Sequence, residues 1–76
     1  MNINDLINTA AKAEDATRTP AQAIAHSLRV SESVVSKWIA GAPVPFRHIV
    51  ALADLASVDL SLAQANALRN GDEVEL

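Results

Sequence analysis

The chain has 76 residues, half of them hydrophobic, 3% aromatic and 20% charged, with a formal net charge of −3. That length admits one small domain, and that apolar share excludes a disordered chain. Cysteine does not occur, which excludes a disulfide framework, a thiolate zinc site and a thiol nucleophile.

The pattern in chain order is helical throughout. Ile3, Leu6, Ile7, Ala10 and Ala11 repeat at helical spacing and predict a first helix over 3–15, with Asn2 as N-cap. Residues 16–18 read as a linker. Thr19-Pro20-Ala21-Gln22 then combines a capping threonine, a proline at the first helical position and a glutamine at the third. This start signal predicts a short second helix over 20–28, with Ala21, Ile24, Ala25 and Leu28 as its apolar positions. Ser31 caps a third helix over 32–40, whose apolar side is Val34, Val35 and Trp38. Gly41 ends it, and Pro43 and Pro45 forbid its continuation.

A fourth helix is predicted over 45–56, carrying Phe46, Ile49, Val50, Ala53 and Ala56. A fifth is predicted over 58–70, with Ser57, Asp59 or Ser61 as alternative caps, Val58, Leu62, Ala65 and Leu68 as its apolar face, and Gly71 as its stop. Residues 71–76 form an acidic tail that is expected to fray.

Charge is unevenly distributed. Between residues 18 and 48, Arg18, Arg29, Lys37 and Arg47 face the single acid Glu32, a local net of +3; the remainder sums to −6. A basic centre attracts phosphate despite the acidic total if it gathers on one face; the alternative is a mixed solvated surface. His26 and His48 have no carboxylate cluster beside them in sequence, so no metal is expected. No paired carboxylates, nucleophile–base pair or glycine-rich loop occurs, so the chain is expected to be no enzyme, with no catalytic residue, cofactor or small-molecule substrate. The start lacks the basic flank and apolar run of a signal peptide, and no stretch approaches 18 apolar residues. The expected location is the cytoplasm, with no membrane association.

The informative segment is Ala21 to Trp38, two short helices joined by about three residues. Ala25 is small where the helices would cross, and Val30 and Val35 would fill the wedge between them. Ser31 would leave the first turn of the next helix exposed, with the positive end of its dipole free to meet a phosphate or a base edge.

The run from Gln22 to Trp38 resembles the helix-turn-helix of the lambda-repressor-like family, which includes phage Cro proteins and cI-type repressors. Ala25, Leu28, Val30-Ser31, Val35 and Trp38 carry the resemblance. Gly41, Pro45, the apolar fourth helix and Ala56-Ser57-Val58-Asp59-Leu60 extend it over roughly residues 3 to 70. Two departures stand out: Arg29 occupies a turn position where the family often has glycine, and the net charge is acidic. The resemblance implies an all-α, compact five-helix DNA-binding domain with a helix-turn-helix, spanning 1–76.

It also implies a role for each polar residue. The third helix would enter the major groove. Glu32, Ser33, Ser36 and Lys37 would face bases, with Lys37 donating to guanine and Glu32 either accepting from cytosine or merely favouring the helix N-terminus. Arg18, Thr19, Gln22, Ser31, Arg47 and His48 would contact the DNA backbone. Arg29 and His26 read as solvated charges. Trp38 reads as core in preference to a stacking platform, and Phe46 as core or as a packing surface of the fourth helix.

The implied partner is double-stranded operator DNA, bound by a homodimer in a bacterial host cytoplasm, in association with the nucleoid. At this size a monomer buries only about 60% of its unfolded surface, so dimerisation also helps stability. Leu60, Leu62, Ala65, Leu68 or Val74 would supply the dimer contact, or else close the monomer core. A phage or mobile-element repressor is the leading expectation. The alternatives are an antitoxin or copy-control autoregulator of the same fold, and a protein-interaction helical module without DNA binding.

Overall fold

Helix starts and stops account for most of the architecture. In the computed structural model, which describes residues 1–76, the chain is all-α, with α1 Ile3–Asp15, α2 Pro20–Leu28, α3 Glu32–Ile39, α4 Phe46–Ala56 and α5 Leu62–Arg69. Capping boxes open α1 (Asn2 with Asp5), α2 (Thr19 with Gln22) and α5 (Ser61 with Gln64). Each box satisfies two backbone N–H groups that the helix itself leaves free. Ser31 caps α3 by accepting from the Val34 amide at 3.1 Å.

Four of the helices end alike. Arg29, Gly41, Ser57 and Gly71 have positive φ. In each case the amide of the following residue reaches back across the last turn: Val30 to Ala25, Ala42 to Lys37, Val58 to Ala53 and Asp72 to Ala67, at 2.8–3.1 Å. These are Schellman-type ends, which satisfy carbonyls left over by the helix. Val30, Ala42 and Val58 then fold onto the core.

The start of α5 differs from the expectation. Ser57 turns α4 off in the left-handed region, Val58 and Leu60 pack beneath as a connection, and the helix begins only after Ser61. Among the three candidate caps, Ser61 alone is followed three residues later by a side chain that closes the box. The ends of α3 and α4 shift by one residue, with Ala40 and Pro45 as caps.

Packing centres on α1, which contacts α2 and α4 extensively and α3 at its edge, while α5 packs on α4. Sixteen residues are buried, all of them hydrophobic. Leu6, Ile7, Ile24, Val35, Ile49, Leu52 and Leu68 are the largest fully buried side chains, each worth roughly 1.5–3 kcal/mol of transfer free energy. The molecule measures 30 × 23 × 17 Å.

The acidic tail is not frayed. Val74 is buried, its amide donates to the Met1 carbonyl at 2.8 Å, and its own carbonyl accepts from the Met1 ammonium at 2.6 Å. Gln64 Nε2 donates to the Glu75 carbonyl at 2.9 Å. One apolar residue among the acids decides the placement, because its burial anchors the strand of charges on either side.

Candidate nucleic-acid interface

α2 and α3 pack against each other across the connection Arg29-Val30-Ser31. Ala25 and Val35 are buried there, and Val30 is half-buried against the core. Arg29 is left-handed, with φ 57° and ψ 43°, a conformation that glycine adopts without strain and that an L-residue with a Cβ adopts at a cost.

Val35 and Trp38, three residues apart, hold α3 to the core, with Trp38 only 4% exposed. That orientation turns Glu32, Ser33, Ser36 and Lys37 to solvent, and all four are exposed. Glu32 and Ser36, like Ser33 and Lys37, lie four residues apart, and Ser33 and Ser36 three, so the four share one side of the helix. Val34 departs from the expectation: at 37% exposure it flanks the polar face, as does Ile39 at 38%. Eight residues make just over two turns, and the buried stripe has room for Val35 and Trp38 only.

The predicted backbone-contact residues fall into two groups. Arg18 and Gln22 line an open cleft of about 430 Å³ between α2 and α3, together with Ala25, His26, Val30 and Glu32. His26 is exposed, as expected of a solvated charge, and also lines this cleft, four residues after Gln22 on the same side of α2. Glu32 shares the cleft with two basic side chains and forms no ion pair with either. Thr19 and Gln22 cap each other, with the Gln22 amide donating to Thr19 Oγ1 and the Thr19 amide donating to Gln22 Oε1, both at 3.3 Å. The Thr19 hydroxyl proton and Gln22 Nε2 stay available as donors, and so does the Ser31 hydroxyl proton.

Arg18 Nε pairs with Asp15 Oδ2 at 3.2 Å. Hydrogen bonds from the Thr17 hydroxyl and amide, and then the Arg18 charge, hold the Asp15 carboxyl below its usual range. This exposed pair is a weak competitor for Arg18.

Arg47 and His48 belong to a second group on the first turn of α4. Pro45 offers no side-chain cap there. Arg47 is exposed and has no ion-pair partner. His48 is half-buried, its ring centroid 5.2 Å from that of Trp38 and tilted by 42°. Burial, and then the neighbouring Arg47 charge, push its pKa below the ordinary value.

The residues expected to supply a dimer contact divide as well. Ala65, Leu68 and Val74 are buried within the monomer, and Leu60 is half-buried against the core. Only Leu62, at 68% exposure, is free for a partner. No three of the histidine and acidic side chains converge as metal ligands, and no helix is long and apolar enough to cross a membrane.

No family model matches this chain, and no curated protein or solved structure matches it.

Proposed function

We propose that this chain is a sequence-specific regulator that binds double-stranded DNA, a repressor of the Cro or cI type acting as a homodimer on an operator in the cytoplasm of a bacterial host. The observation that carries the reading is the division of α3 into a buried pair, Val35 and Trp38, and an exposed polar row, Glu32, Ser33, Ser36 and Lys37. A helix so divided can be laid in a major groove without disturbing the core. Lys37, with no ion-pair partner in the chain, donates to guanine, and Ser33 and Ser36 serve as adaptable partners. Glu32 accepts from cytosine, where its charge also excludes a phosphate.

Backbone contacts come from the hydroxyl protons of Thr19 and Ser31, from Gln22 Nε2, and from Arg18 once it leaves Asp15. His48 contributes as a neutral donor held by Trp38. Arg47 has the chemistry for either a phosphate or a carboxylate. An antitoxin or copy-control autoregulator would use the same interface, and a toxin gene beside its own would favour that variant of the reading.

Footprinting on the DNA flanking the gene for this chain tests the reading. The expected result is a protected site with two-fold symmetry, its half-sites about 34–36 Å apart along the duplex. No protection, together with no duplex binding at low salt, would remove the regulator and leave a protein-interaction domain.

A further inference from the structure

The outward side of α4 has no partner within the monomer. Arg47, Val50 and Asp54 follow at i, i+3 and i+7, which places them on one side of the helix. All three are exposed, Val50 by 43%. Neither charge is paired inside the chain, whose ion pairs are Met1–Glu73 and Arg18–Asp15. Beside Val50 lies an apolar groove of about 290 Å³ between α4 and the start of α5, walled by Phe46, Val58 and Leu62 among others. Val50 and Leu62 are thus two large apolar side chains left in water on adjoining ground.

The order of charge along this face is self-complementary. Arg47 and Asp54 stand symmetrically about the Val50–Ala51 peptide, each about 5 Å from it along the helix axis. If a second α4 runs antiparallel across a two-fold axis at that point, Arg47 faces Asp54 of the copy and Asp54 faces Arg47. Val50 then meets Val50 near the axis. A parallel arrangement would set like charges against each other. We propose that this face, Arg47–Val50–Asp54 with the adjoining groove, is a two-fold interface with a second copy of this chain.

The proposal deepens the dimeric part of the reading above and does not require DNA as a ligand. In it Val50 and Leu62 supply the buried apolar area, and the two charge pairs fix the antiparallel register. Arg47 leaves the set of phosphate contacts, because its guanidinium is committed to the carboxylate of the copy. Ala65, Leu68 and Val74 stay inside each monomer.

Sedimentation equilibrium on the full chain, without DNA and at low salt, tests this. The wild-type chain is expected to form dimers. Arg47→Asp and Asp54→Arg should each weaken dimerisation by about tenfold or more, since each sets like charges opposite one another. Combining R47D with D54R should restore it. Leu62→Glu, at a side chain 68% exposed in the monomer, should abolish it while the helical circular dichroism is unchanged. A chain that stays monomeric at every concentration would overturn the proposal and leave the groove, with Asp54 and Asp59 in its walls, to a basic amphipathic partner. Single charge variants that dimerise normally would also overturn it. So would loss of duplex binding by R47D with dimerisation intact, which makes Arg47 a phosphate contact. Dimerisation that follows the expected pattern in a chain that binds no duplex would uphold this interface and remove the DNA-binding reading alone.

Discussion

Individual side chains carry three separable consequences. Arg29 sits at φ 57°, where an L-residue with a Cβ is strained by roughly 1–2 kcal/mol. Replacing it with glycine relieves that strain at some cost in unfolded-state entropy, so Arg29→Gly should stabilise by about 0.5–1 kcal/mol and raise Tm by a few degrees; an unchanged or lower Tm would show that the Arg29 side chain compensates. In the proposed regulator, Lys37→Ala should cost roughly 1–3 kcal/mol on the footprinted site and relax specificity at one base position. A uniform loss across all duplexes would make Lys37 a phosphate contact. His48 has a lowered pKa, so between that value and the ordinary one the unfolded chain binds more protons than the folded chain. Its contribution is therefore complete above about pH 6.5 and is lost as pH falls below that value. Thermal melts from pH 7.5 to 5 should show Tm falling, and His48→Gln should flatten the acid side of the profile.

Helices are held here by their ends and by one inward stripe each. α3 is the sharpest case, since Val35 and Trp38 are its only buried residues. Trp38→Ala should cost about 3–5 kcal/mol, a large share of the stability of a domain this small. It should also release His48 from its aromatic neighbour and return the imidazole toward its ordinary titration, which proton NMR would detect in the residual folded population. A melt identical to wild type would contradict the burial. At α5 the box formed by Ser61 and Gln64 closes both ways. Ser61→Ala should therefore cost about 1 kcal/mol, and Ser57→Ala should not reproduce that loss, because Ser57 ends α4.

For the molecule as a whole, charge and size set the terms of binding. The net charge of −3 gives little general attraction to a polyanion, so in the proposed regulator affinity for DNA would have to come from a localised basic face doubled by symmetry. If a dimer neutralises about six phosphates, log K should fall with log salt at a slope near −5. A slope near zero would show that phosphate neutralisation contributes nothing. The same acidity acts at the other end of the molecule, where Glu73 pairs with the Met1 ammonium at 3.6 Å and the buried Val74 holds the tail down.

What could be read directly from residue order was local. Caps, prolines, glycines and the 3.6-residue period marked five helices, and the bounds of α1 and α2 agree to the residue, because each start is written in two or three neighbouring side chains. The outward row Glu32, Ser33, Ser36 and Lys37 was legible for the same reason: helical geometry sets its direction once Val35 and Trp38 are taken as core. Three things depended on the packed chain. Ser57 became a helix end and not a helix start, because the packing of the half-buried Val58 against the core rewards a left-handed turn there. Val74 pinned an acidic tail that composition alone would leave in water. His26 entered the cleft with Arg18, Gln22 and Glu32, and Arg47 lay clear of it. Which charges share a surface depends on how the helices cross, and crossing is settled by side chains distant in sequence that no short pattern records.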